Sequence, residues 1–92
     1  MTTTAMSIGF GNFVVRERII AILSSVSAPV KRVIQEARKQ GQLIDATQGR
    51  RTKSVLFMDN GQVIISALGQ ETLAKRMASL VPTPEADNAD LG

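Results

Sequence analysis

One segment constrains this chain more than any other: Ser27-Ala28-Pro29-Val30, followed by Val33, Ile34 and Ala37 and closed by Gly41. Ser27 offers a side-chain oxygen to the free N–H groups of a first helical turn, and Pro29 falls in that turn, where its missing N–H costs nothing. Val30, Val33, Ile34 and Ala37 recur at the i, i+3, i+4, i+7 spacing of a single helix face. Gly41 is the left-handed residue on which such a helix ends. The spacing predicts a helix between Ser27 and Gly41 with one face to bury. The next segment, Leu43-Ile44-Asp45-Ala46-Thr47, reads as a short strand. A helix-turn-helix is disfavoured, because that motif needs a recognition helix at this point.

Strand signals surround the helix. Residues 6–15 hold two apolar runs around a Gly9-Phe10-Gly11-Asn12 turn. Ile19-Ile20-Ala21-Ile22-Leu23 is too short for a helix and apolar on both faces, which suits a central strand covered on both sides. After the polar stretch from Gln48 to Lys53, Ser54-Val55-Leu56-Phe57-Met58 is a strand, and Asn60-Gly61 is a strong two-residue hairpin signal. Val63 to Leu68 reads as the returning strand. A last helix places Leu73, Met77 and Leu80 on one face with Ala74 beside them. The order gives an α+β fold: a small single domain with a partly antiparallel sheet of four to five strands and two helices. Residues 1–4 are expected to be a flexible N-terminus, residues 5–81 the domain, and residues 82–92 a disordered acidic tail after Pro82.

Absent residue types narrow the function. The chain has no Cys and no His, which excludes a zinc finger, a Cys or His nucleophile and an imidazole base. No carboxylate pair stands near Asp45, for which a turn or ion-pair role is expected. An enzyme acting on an anionic small molecule is therefore disfavoured, and no cofactor, metal or small-molecule substrate is expected. No apolar run is long enough to span a membrane. The start, Met1-Thr2-Thr3-Thr4-Ala5-Met6, lacks the basic and apolar regions of a signal peptide, so the cytoplasm is the expected compartment. At 92 residues the chain buries a modest core, for which self-association is a common remedy.

Charge points to a partner. Residues 1–81 carry eleven basic and five acidic groups, while Glu85, Asp87 and Asp90 stand alone in the last stretch. A body with that surplus attracts polyanions, of which nucleic acid is the commonest in the cytoplasm. The cations concentrate in Gly49-Arg50-Arg51-Thr52-Lys53, between two apolar strands. Arg presents a planar fork of donors suited to phosphate or a guanine edge, and Thr52 can add a hydroxyl contact. The loop lacks the first Gly and the Lys-Ser/Thr ending of a Walker loop, and Val14 stands where a Rossmann turn needs its third Gly. A solvated loop kept charged for solubility is the plainer alternative. Lys31, Arg32, Arg38 and Lys39 read as a solvated helix face, and Lys75 and Arg76 likewise; Arg16 and Arg18 face either solvent or a groove. There is no Trp or Tyr, and Phe10, Phe13 and Phe57 fall in strand-like runs that bury them. Single-strand readers stack bases on exposed aromatics, so duplex DNA fits better.

Ser27-Ala28-Pro29-Val30-Lys31-Arg32, and the string from Gly41 through Leu43-Ile44-Asp45-Ala46-Thr47-Gln48-Gly49-Arg50-Arg51-Thr52, resemble the RemA family of bacterial extracellular-matrix (biofilm) regulators. Ile8-Gly9-Phe10-Gly11-Asn12 and Val63-Ile64-Ile65-Ser66-Ala67 match the same pattern. The resemblance implies a duplex-DNA-binding transcriptional regulator that works as a ring-like homo-oligomer presenting many basic loops. It assigns Arg50 and Arg51 to the basic loop and Arg18 to the basic position ahead of the apolar strand; the loop's own chemistry adds Lys53 and Thr52 in support. Gln48 departs from the aromatic usual at its position. The alternative is an oligomeric scaffold or adaptor whose basic loop binds an acidic protein partner.

Overall fold

Ser27 and Gly41 bracket helix α1 (Ala28–Lys39) in a computed structural model that describes residues 4–79. The Ser27 hydroxyl accepts from the Val30 N–H at 3.4 Å, and Gly41 takes φ +72°. Ala37 is buried, with Val30 and Ile34 packed alongside, while Val33 at the stripe's edge remains exposed.

The helix covers one face of a four-stranded sheet in which β3 (Ile19–Ser24), β5 (Ser54–Met58), β6 (Val63–Ser66) and β4 (Leu43–Ala46) lie side by side in that order. β5 runs antiparallel to β3 and β6, and β4 runs parallel to β6. The two-residue period of a strand divides the side chains between faces. Val55, Phe57, Val63, Ile65 and Leu43 pack with α1, and Leu56, Ile64, Ala46 and Ile19 turn to the other face.

That second face is covered by a hairpin and a helix. β1 (Ala5–Gly9) and β2 (Asn12–Val15) pair antiparallel as a separate two-stranded sheet. Met6 and Ile8 from β1 and Leu73 from α2 (Gln70–Ala78) complete the larger core cluster. The result is three layers: α1, the four-stranded sheet, and the hairpin with α2. The α+β class and its partly antiparallel sheet are present as the sequence indicates.

Several details differ from the sequence reading. β3 is an edge strand, not a central one. Ile19 faces Met58 while Ala21 faces Phe57, so Ile20 is an extra residue in a bulge, and it is 69% exposed. An unbroken apolar run cannot distinguish a strand covered within its own chain from an edge left open. β6 ends at Ser66, because the fully buried Ser54 and Ser66 hydroxyls hold a bend at residues 67 and 68. Ser54 donates to the Leu68 carbonyl at 2.7 Å, and Ser66 accepts from the Leu68 N–H at 3.0 Å while donating to the Ile8 carbonyl at 2.9 Å. Phe13 and Phe10 are exposed, at 54% and 37%. Ala74 is exposed rather than part of the α2 stripe. Arg76 is no mere solvating group, since it donates to the Ser7 carbonyl at 2.8 Å and ties α2 to β1. Leu80, residues 1–3 and residues 82–92 lie outside the described residues.

Candidate nucleic-acid interface

The loop from Thr47 to Lys53 is held at both ends. At its start the Asp45 carboxylate accepts from the Thr47 N–H at 2.9 Å and from the Thr47 hydroxyl at 2.6 Å. Gln48 and Gly49 then take φ +54° and +76°, and the Arg50 N–H donates back to the Thr47 carbonyl at 2.9 Å. Two successive residues with positive φ make a tight reversal that glycine tolerates at its second position. At the far end the Ser25 hydroxyl donates to the Thr52 carbonyl at 2.9 Å. The Lys53 N–H donates to the Ser66 carbonyl at 2.9 Å, and the Lys53 carbonyl accepts from the Ser25 N–H. Thr52 is half-buried by these contacts, whereas Arg50, Arg51 and Lys53 remain exposed. These bonds fix the loop backbone at both ends and leave its three cations on the surface.

The two Thr47 hydrogen bonds, the side-chain one foremost, hold the Asp45 carboxyl below its ordinary value of 3.8, with the charge of Arg38 adding to the effect. A carboxyl lowered on folding contributes stability above its unfolded value, and that contribution is lost as pH falls through the folded one. We expect the parent to unfold at a higher temperature than Asp45→Asn at neutral pH. The difference should shrink below about pH 4, and thermal unfolding of both proteins from neutral to acid pH measures it.

Arg50, Arg51 and Lys53 line a surface depression of about 340 Å³ together with Phe10, Ala67 and Leu68. The Arg50 guanidinium lies 5.4 Å from the centre of the Phe10 ring, within cation–π range. Among the described residues no carboxylate forms an ion pair with any of these three cations. Phe10 is the member that the sequence reading missed. Its place inside a two-residue turn was the available signal, because a turn tip projects outward even when its flanks are strands.

Arg18 is elsewhere. It precedes Ile19, which pairs with Met58 at the end of β5 opposite to Lys53. A strand of this length separates the two ends by about 15 Å. The Arg18 guanidinium donates to Asp59 at 3.1 Å and is 65% exposed. It borders a second depression with Phe13, Val15 and Ile44, all three exposed. Within one chain the structure brings Arg50, Arg51 and Lys53 together and leaves Arg18 apart.

The structure is a small basic α+β domain with its cations gathered on a pinned loop, and comparison with known proteins places it among regulatory proteins. The family model described as RemA-like, extracellular matrix regulatory protein A-like, matches residues 6–77. The chain is 52% identical over 82 residues to a candidate regulatory protein of Synechococcus sp. (strain JA-2-3B'a(2-13)), covering 89% of this chain and 92% of that one. It is 51% identical over 87 residues to one from Moorella thermoacetica, covering 95% and 96%. A third, from Clostridium botulinum (strain Hall), is 54% identical over 79 residues, covering 86% and 87%. The chain belongs to the RemA-like family. Its relatives are named for regulation rather than catalysis, and no helix among the described residues is long and apolar enough to cross a membrane.

Proposed function

We propose that this protein is a transcriptional regulator that binds duplex DNA as a ring-like homo-oligomer, with Arg50 and Arg51 as principal contacts and Lys53 and Thr52 beside them. The observation that carries the reading is the set of three cations, without acidic partners among the described residues, fixed around one depression. Like charges this close repel one another, and phosphates relieve the repulsion. One such loop binds feebly, and repetition on an assembly makes it effective.

Exposed apolar side chains at both edges of the sheet favour assembly. Ile20, 69% exposed, lies near the start of the edge strand β3 and Val26, 76% exposed, lies just past its far end, while Ile44 lies on the opposite edge strand β4 with Phe13 and Val15 nearby. Different side chains at the two edges suit a head-to-tail contact, which closes into a ring when the rotation permits. Arg18 then joins the DNA-contacting set only along a longer path of duplex or through a neighbouring copy. The family description suggests extracellular-matrix genes as the targets.

Salt dependence tests this reading. Each neutralised phosphate contributes about −0.9 to the slope of log affinity against log salt, so one loop with three cations is limited to roughly −2.7. Anisotropy titrations of a labelled duplex should give a steeper slope, which requires several loops at once. Absence of duplex binding at physiological salt contradicts the proposal and favours an adaptor for an acidic protein.

A further inference from the structure

Among the described residues, Phe10 and Gln48 are the two non-glycine positions with positive φ, at +55° and +54°. Phe10 and Gly11, at φ +77°, form the two-residue turn between the paired Gly9 and Asn12. Turns with positive φ at both positions favour Asn, Asp or Gly at the first, because a bulky side chain there crowds its own backbone. Burial recovers this cost only in part, since the ring stays 37% exposed and belongs to neither core cluster. Its partner is the Arg50 guanidinium, and it faces the depression that Arg51 and Lys53 also line.

A partly exposed apolar ring on a strained turn, with one guanidinium over it and two more cations lining the same depression, has the chemistry of a minor-groove wedge. Proteins that enter that groove set apolar side chains against a base step and hold the flanking phosphates with Arg and Lys. We propose that Phe10 is such a wedge: its ring presses into a base step of the duplex from the minor groove while Arg50 and Arg51 hold the adjacent backbone. The inference rests on the duplex-binding reading proposed for the loop. The other candidate role, a platform that merely orients Arg50, predicts a different variant behaviour.

The test uses Phe10→Asn in the full chain, since Asn suits the turn's φ and keeps the hairpin folded. Parent and variant are titrated onto a set of duplexes, each carrying 2-aminopurine at a different step, and followed by anisotropy and fluorescence across a salt series. The parent should raise 2-aminopurine fluorescence by unstacking. The variant should lose that rise and bind about five- to 150-fold more weakly, the range for one lost aromatic–base contact. It should keep the parent's salt slope and unfold no earlier. No rise with the bound parent, or a variant that retains rise and affinity, overturns the wedge while leaving duplex binding intact. A flattened slope overturns it too, because the ring then acts through Arg50. If the parent binds no duplex, the duplex reading itself falls, and the wedge with it.

Discussion

Exchanging Arg50 and Arg51 together for alanine is expected to lower duplex affinity by at least about a hundredfold, since each charged hydrogen bond contributes roughly 1.5–3 kcal/mol. The log–log salt slope should flatten by about 1.8 for every loop engaged. Both residues are exposed and stand between strands rather than within one. Circular dichroism and the unfolding midpoint should therefore stay close to the parent's, as surface substitutions usually change stability by less than about 0.5 kcal/mol. Loss of the Arg50 stack on Phe10 adds at most about 1 kcal/mol. Anisotropy titration and thermal unfolding of the double variant check both halves. Unchanged affinity in a folded variant removes the loop from the interface.

The second large effect concerns the scaffold. Leu73→Ala should destabilise the domain by about 2–5 kcal/mol, the range for a fully buried leucine that leaves a cavity. Leu73 is fully buried where α2, β1 and the sheet meet, beside Met6, Ile8, Leu56 and Ile64. Against a total stability of about 5–15 kcal/mol, a loss of that size is severe. It should loosen the hairpin that carries Phe10 as well as the helix. Urea unfolding of the variant measures it, with the volume-conserving Leu73→Met as a control expected to cost less than about 1.5 kcal/mol. A cost below about 1 kcal/mol for Leu73→Ala contradicts this packing of α2.

How far the sequence could be read depends on the reach of each physical signal. The α1 boundaries depend on local chemistry, a capping hydroxyl and a left-handed glycine, and both ends appear where that chemistry sets them. The Asn60-Gly61 pair does mark the β5–β6 hairpin, with the Gln62 N–H donating to the Asn60 side chain and Gly61 at φ +88°. The connection, however, is a three-residue loop closed by the Met58 N–H on the Gln62 carbonyl, and only Gly61 of the pair takes positive φ, not the two-residue turn expected. Asp45 serves a turn through Thr47, as the lack of a second nearby carboxylate suggested. Strand order is set by contacts far apart in the chain, so the edge position of β3 could not be read from Ile19–Leu23 alone. In the site, the clustering of Arg50, Arg51 and Lys53 was legible because they are neighbours in sequence. The arrival of Phe10 and the remoteness of Arg18 were not, because contacts between distant parts of the chain decide both. The poverty of aromatics was also a weaker argument than it looked, since an exposed ring stands beside the cations.

Light scattering of the purified protein, alone and after addition of a duplex several helical turns long, tests the central claim most directly. A ring of basic loops predicts a discrete multimer whose mass rises on adding duplex at physiological salt, and a smaller rise for the Arg50→Ala, Arg51→Ala variant. A monomer that binds no duplex would contradict it.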